Sequence, residues 1–152
     1  PSVKFPRQVK IMHQCGKDEV RHNIERSYAK NGVSAEVFAF DRNMAARYAR
    51  TDAIICRAGA MTCAEVEVVG VPVLLVPYPY AVDNHQMANA KQLALRCEGL
   101  VTICAQEDLG VDYIAEWLAS VQNMDDGGEV KAGNKIRSVS KIMQVINSVM
   151  AH

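Results

Sequence analysis

The sequence predicts an α/β domain built on a parallel sheet. Three observations carry that reading: short apolar runs alternate with longer amphipathic ones, glycines stand just past several amphipathic runs, and 49% of the 152 residues are hydrophobic. In chain order, strands are expected at Gln8 to His13, Glu36 to Phe40, Ala53 to Cys56, Val73 to Val76 and Leu100 to Cys104. Each is a short apolar run rich in branched or aromatic residues. Helical periodicity falls between them, at Glu19 to Lys30, Met44 to Ala49, Cys63 to Val69, His85 to Cys97 and Tyr113 to Gln122. Gly32, Gly70 and Gly99 follow three of these helices, where a left-handed residue closes the last turn. A polar, glycine-bearing linker is expected over 123–133. A last amphipathic helix is expected over 135–150, with Ile136, Val139, Ile142, Met143, Ile146 and Met150 at helical spacing. The whole of 1–152 reads as one domain, without internal repeats.

Composition narrows the function. Seventeen Lys and Arg balance seventeen Asp and Glu. No two basic residues are adjacent, so the basic stripe that phosphate-backbone binding requires is absent. Nucleic acid is therefore not an expected partner. The longest strongly apolar stretch, Val71 to Val76, is broken by Pro72 and falls far short of the ~20 residues that span a bilayer. The start, Pro1-Ser2-Val3-Lys4-Phe5-Pro6, has neither an initiator Met nor a signal-peptide core, and reads as a cut inside a longer chain. Five cysteines, Cys15, Cys56, Cys63, Cys97 and Cys104, form no C-x-x-C pair and no zinc spacing. They are expected to be reduced, mostly buried thiols, and no metal site is expected.

In open α/β sheets ligands bind beyond the carboxyl ends of the strands. Two loops there carry candidate chemistry. The first, Cys56-Arg57-Ala58-Gly59-Ala60-Met61-Thr62-Cys63-Ala64-Glu65, runs from a strand end through small residues into a helix. Gly59 and Ala60 permit close backbone approach, the helix amides and dipole favour an anion, and Arg57 adds positive charge. Thr62 and Glu65 equally fit a T-x-x-E capping box, in which both side chains only satisfy backbone amides. In the second loop, Pro72, Pro77 and Pro79 stiffen the strand and its exit, and Asp83 with Gln86 can again cap a helix. Its helix start carries Asn84, His85, Gln86 and Asn89, neutral donors and acceptors suited to hydroxyls. A merely solvated helix start is the alternative. His13 and Cys15 stand at a strand end as a conceivable nucleophile pair without an orienting third group. Cys15-Gly16-Lys17 lacks the first glycine and the Ser/Thr of a P-loop.

The order of these loops is specific. Ile55 to Glu65, then Gly70-Val71-Pro72, Val76-Pro77-Tyr78-Pro79 and Asp83-Asn84-His85-Gln86-Met87-Ala88-Asn89-Ala90, resembles the donor half of the MurG family. These are bacterial transferases that move N-acetylglucosamine from its UDP conjugate to the lipid-linked muramoyl-pentapeptide of peptidoglycan. The similarity runs from about His13 through Ala90 and weakens after Gly110. It implies a GT-B glycosyltransferase, whose Rossmann-like C-terminal domain, a parallel sheet with flanking helices, binds the nucleotide sugar. By the resemblance, Glu65 holds the ribose hydroxyls, and Gly59, Ala60, Met61 and Thr62 bring the helix start to the diphosphate, with Arg57 beside it. Backbone near Asp41 to Met44 meets uracil, and His85 and Gln86 address the sugar. Two glutamines are usual in the family where His85 and Gln86 stand, and an aliphatic residue is usual at Asp41.

The family's acceptor domain and the first strand-loop-helix of its donor domain have no counterpart here. The resemblance therefore implies a sheet lacking its central strand, with edges open to pairing. The general base belongs to the acceptor side, so no catalytic residue is assigned and this chain is expected to be inactive alone. No cofactor is expected. As an intact protein, the family works at the cytoplasmic face of the bacterial plasma membrane, with lipid contact expected through the missing domain. Two other readings compete: a stand-alone donor subunit of a two-chain N-acetylglucosaminyltransferase, which would open with its own glycine-rich strand, and a non-catalytic nucleotide-sugar binding domain.

Overall fold

The computed structural model describes residues 9–127 and 141–145. Six strands form one sheet, β1 (Lys10–Gln14), β2 (Ala35–Phe38), β3 (Ala53–Cys56), β4 (Val73–Leu75), β5 (Val101–Ile103) and β6 (Lys141–Val145). Five α-helices connect them: α1 (Asp18–Lys30), α2 (Met44–Tyr48), α3 (Ala60–Val69), α4 (His85–Arg96) and α5 (Val111–Gly127). The strand order is β2-β1-β6-β3-β4-β5, and every pairing is parallel. All five expected strands and five expected helices of the first 122 residues are present, with ends moved by a few residues.

Alternation along the strands divides the core into two layers. Met12, Ile54, Cys56, Val73 and Leu75 face one way and pack with Tyr48, Cys63, Val66, Ala90 and Leu93 of α2, α3 and α4. Ala53, Ile55, Leu74 and Val76 face the other way, against Trp117, Leu118 and Val121 of α5. His13, next to Met12 and so on the opposite face, meets Tyr28 of α1, with Nδ1 2.9 Å from the phenol oxygen. Helices α1 and α5 thus share one face while α2, α3 and α4 share the other. This is what right-handed crossovers require, because the chain steps one way from β1 to β2 and the other way from β2 to β5.

The C-terminal segment corrects the expectation of a helix over 135–150. Residues 141–145 are a strand, inserted between β1 and β3; the flanks 135–140 and 146–150 lie outside the described residues. Met143 is in register with both Met12 and Ile54. The reason is non-local. Without a strand in this place, facing edges of β1 and β3 would leave backbone amides and carbonyls unpaired inside a buried sheet. Closing that gap with two ladders outweighs the 3–4 spacing of apolar residues that suggests a helix. The implied vacancy at the sheet centre is accordingly filled by the chain's own later segment.

The linker expected over 123–133 is also corrected in part. Helix α5 continues through Asn123 and Asp126 to Gly127, and 128–133 lie outside the described residues. Past the buried Val121, Asn123 and Met124 are exposed while the backbone stays helical. At α3 the expected termination holds: Gly70 adopts φ 66° and its amide donates to Val66 O at 3.2 Å.

Because β6 bridges β1 and β3, ending the chain after Ser140 is expected to lower the denaturation midpoint. It should also strip hydrogen-exchange protection from the amide of Ile55, which alternation turns toward β6, while the Ile54 amide stays bonded to Pro72 O of the β4 side at 2.9 Å. Unchanged protection at Ile55 would contradict the strand order.

Candidate functional site

The carboxyl ends of β2, β3 and β4 open onto the same edge of the sheet, and the loops leaving them lead into α2, α3 and α4. After β3 the chain turns through Arg57, Ala58 and Gly59. Ala58 is fully buried, and Gly59 is the N-cap of α3, with ordinary φ −65° and no side chain to offer its amides. The helix begins at Ala60, three residues before the expected Cys63. This shift removes the T-x-x-E capping box, because Thr62 now lies inside the first turn and Glu65 in the second. The N-terminal amides of α3 therefore have no side-chain cap, and they lie beside exposed Ala60 and Met61. Uncapped amides and the positive end of the dipole make this terminus suited to an anion.

Glu65 is exposed one turn further along, and its Oε2 accepts a hydrogen bond of 2.8 Å from the hydroxyl of Tyr48 on α2. Tyr48 is buried in the core layer below, and burial, followed by the carboxylate, raises its pKa. Its hydroxyl thus keeps its proton, and donates a hydrogen bond to Glu65, at any physiological pH.

Arg57 takes a different place from the one its charge suggests. Its Nη1 donates to Val76 O at 3.1 Å and Pro77 O at 3.4 Å, and its Nη2 to Gln106 Oε1 at 2.7 Å. The guanidinium also lies 5.3 Å from the centre of the Tyr78 ring. Arg57 ties the exits of β3 and β4 together and to the turn after β5; an anion would feel its charge without needing its hydrogen bonds.

The second loop is organised in the same economical way. Gln86 accepts from Tyr78 N at 2.9 Å, so its side chain spans the loop instead of pairing with Asp83 in a capping box. The N-cap of α4 is Asn84; both it and Asp83 have left-handed φ values, 53° and 51°, a conformation Asn and Asp tolerate better than most residues. His85 is exposed, with Nδ1 2.6 Å from Val82 O. Asn89, one helical turn beyond, donates to Ala58 O at 3.1 Å and pins the turn that leads into α3. Sequence reasoning placed Asn89 among the loop's polar groups without assigning it a role. Its signal was the i, i+4 relation to His85, which sets both on the same side of α4.

Asp41 turns its carboxylate inward. Oδ2 accepts from Arg47 Nε at 2.6 Å and Oδ1 from Asn43 N at 2.8 Å, while Arg47 also reaches Glu36 at 2.9 Å and stacks 3.6 Å over the Phe38 ring. Asn43 in turn caps α2 through Ala46 N. The side chain of Asp41 is thereby committed to loop structure, leaving backbone atoms as its route to a ligand. Half-buried Met44 packs on the core layer, while Met61 is 80% exposed at the α3 start.

Nucleophilic cysteine chemistry finds no support. Burial raises the pKa of Cys56, Cys63, Cys97 and Cys104, which keeps them as thiols. Cys15 donates to Lys17 O while His13 meets Tyr28. The arrangement offers instead uncapped amides for an anion, a fixed carboxylate for hydroxyls and a polar loop across from them. Such a combination suits a nucleotide-like ligand. Residues 2–146 match the family profile described as Glycosyltransferase family 28 C-terminal domain.

The chain belongs to glycosyltransferase family 28. It is 45% identical over 123 residues to a UDP-N-acetylglucosamine–N-acetylmuramyl-(pentapeptide) pyrophosphoryl-undecaprenol N-acetylglucosamine transferase of Hahella chejuensis, covering 80% of this chain and 32% of that protein. The protein of the same description from Aromatoleum aromaticum is 38% identical over 144 residues, 93% of this chain and 40% of the relative. Among solved structures, MurG of Acinetobacter baumannii superposes with a TM-score of 0.61 at 36% identity, covering 74% of this chain and 36% of that one. The chain thus spans roughly a third of the length of the family 28 relatives it matches. Among the described residues no helix is long and apolar enough to cross a membrane.

The Asp41 network gives a pH test within this family 28 domain. The Asn43 amide and then Arg47 hold the Asp41 carboxyl below the usual carboxylate range. A lowered folded-state pKa contributes stability that is present above the unfolded value, about 4, and is lost as pH falls through the folded value. Asp41→Asn is therefore expected to be less stable than the wild type at neutral pH. The gap between their denaturation midpoints should close on acidification below about pH 4. A gap that stays constant with pH would show that the ion pair contributes nothing.

Proposed function

We propose that this chain is the donor-binding part of an inverting N-acetylglucosaminyltransferase. The intact protein would move N-acetylglucosamine from UDP-N-acetylglucosamine to a lipid-linked muramoyl-pentapeptide in peptidoglycan synthesis. The observation that carries the reading is the uncapped start of α3 with Glu65, held by Tyr48, one turn beyond it. In this reading the α3 amides receive the diphosphate, Glu65 accepts from the ribose hydroxyls, and backbone between Asp41 and Met44 meets uracil. His85 and Gln86 face the sugar, with the Nε2 group of Gln86 as donor because its Oε1 already accepts from Tyr78.

Catalysis would be direct displacement. An acceptor hydroxyl attacks the anomeric carbon, a base on the acceptor side takes its proton, and UDP departs as its diphosphate gains charge. Amides and a helix dipole already aimed at that diphosphate stabilise the charge as it develops, without reorganising. Arg57 contributes through its field, which supports chemistry without a metal ion or cofactor. In this reading the proton-accepting base belongs to the acceptor side, so these 152 residues alone are expected to bind donor and transfer nothing. The acceptor lipid would place the intact protein at the cytoplasmic face of the bacterial membrane.

Calorimetric titration with UDP-N-acetylglucosamine tests this directly, with GDP-mannose as control. Binding of the UDP sugar alone, weakened by roughly 1 to 3 kcal/mol in Glu65→Ala, is the expected result. A folded chain that binds neither nucleotide sugar overturns the reading.

Gly59→Ala supplies a second test. A Cβ at Gly59 would meet only Thr62 Oγ1, at 3.8 Å, an ordinary van der Waals contact. The variant is expected to fold with undiminished stability yet bind the UDP sugar several-fold more weakly, because the methyl group occupies the ligand's approach to the α3 amides. Unchanged affinity would argue that the diphosphate lies elsewhere.

A further inference from the structure

Tyr48 and Arg47 are consecutive residues of α2, a helix of five residues, and each fixes a different part of the candidate site. Arg47 holds Asp41 and, through it, the loop after β2. Tyr48 holds Glu65 on α3. The ring of Tyr48 is buried with Ile54, Cys56 and Val66, and its hydroxyl emerges from that layer toward the carboxylate. A long, exposed glutamate would otherwise sample several rotamers, and a carboxylate that must be ordered by its ligand binds it more weakly. One bond from a rigid, buried phenol removes much of that freedom in advance.

We propose that Tyr48 is a positioning residue of the nucleoside site. By holding Oε2 of Glu65, it turns Oε1 and the remaining lone pair of Oε2 toward a vicinal diol, and so sets selectivity for ribonucleotides over 2′-deoxyribonucleotides. The proposal rests on the reading of Glu65 as the ribose-binding carboxylate. It differs from a purely structural role because a core aromatic that merely supported the fold would affect both nucleotide types alike.

The test is calorimetric binding of UDP and 2′-deoxy-UDP to the 152-residue chain, to Tyr48→Phe, to Glu65→Gln and to the double variant. Tyr48→Phe keeps the buried ring and removes only the hydroxyl, and retained 2′-deoxy-UDP binding reports that the variant is folded. The expected result is a loss of about three- to tenfold in UDP affinity for Tyr48→Phe, with 2′-deoxy-UDP affinity little changed. In the double variant the Tyr48 change should add nothing to the loss from Glu65→Gln, because the two act through one carboxylate. If Glu65→Gln abolishes the preference for UDP while Tyr48→Phe leaves it intact, or weakens both nucleotides equally, the proposal fails and the ribose reading stands. If Glu65→Gln itself leaves the preference intact, the ribose reading fails and the proposal falls with it.

Discussion

Strand β3 is the constraint on which the architecture depends. Its four residues, Ala53 to Cys56, are essentially excluded from water, with Ala53 and Ile54 completely so, and helices cover both of its faces. A strand in that position has no solvent to satisfy its backbone, so both edges must be paired. On one side β4 does this, as the next strand in the chain joined by a right-handed crossover. On the other side β6 does it, brought from the far end of the described chain. Once β3 is fixed, the direction of its carboxyl end determines where Arg57, Ala58 and Gly59 leave the sheet and where α3 can start.

Around that exit, side chains divide between those that build the loops and those left to meet a ligand. Arg57 joins the β3 and β4 exits, Asn89 pins Ala58, Gln86 spans to Tyr78, and Asp41 closes on Arg47. Each is polar, near the strand ends, and plausible as a binding group from its chemistry alone. Their hydrogen bonds are nevertheless spent mainly on order. What remains available is largely backbone, at the α3 start, together with Glu65. A site of this kind holds its ligand through geometry set by a surrounding shell, so the loss of a shell residue is felt as misplacement of groups that are still present.

Much of this was legible in the residue pattern because it is local. Strands β1 to β5 are short branched or aromatic runs, their helices have helical spacing, and Gly70 stops α3 where the pattern ends. The loops after β3 and β4 were legible as candidate chemistry because an open parallel sheet leaves little choice of location. The failures have physical causes that no local window contains. Ile142, Met143 and Ile146 have spacing that a helix would use, but the open ladder between β1 and β3 decides the state of 141–145. Thr62 with Glu65 and Asp83 with Gln86 both fit a capping box by spacing. In each case the helix begins elsewhere, after Gly59 or Asn84, and a distant partner, Tyr48 or Tyr78, takes the long side chain. Arg57 was read by its charge, whereas its neighbours in space are carbonyl oxygens from residues about 20 and 50 positions away in sequence.

The charge distribution also gives the candidate site a direction. At α2, Arg47 pairs with two carboxylates, Glu36 and Asp41, while Glu65 accepts from a neutral phenol. The Glu65 carboxylate, not neutralised by that phenol, remains able to accept hydroxyl protons. At the α3 start the partial positive charge of the amides meets the field of Arg57, which burial keeps poorly hydrated and which no carboxylate among its hydrogen-bond partners neutralises. A nucleotide bound as proposed would meet the helix amides at one end and the Glu65 carboxylate at the other, five residues of α3 or roughly 7.5 Å apart. In that proposal its nucleoside lies toward Glu65 and its phosphates toward Gly59. The fold thus sets the α3 amides and the carboxylate in place before any ligand arrives, and Glu65, long and exposed, is the group to which a buried tyrosine is attached.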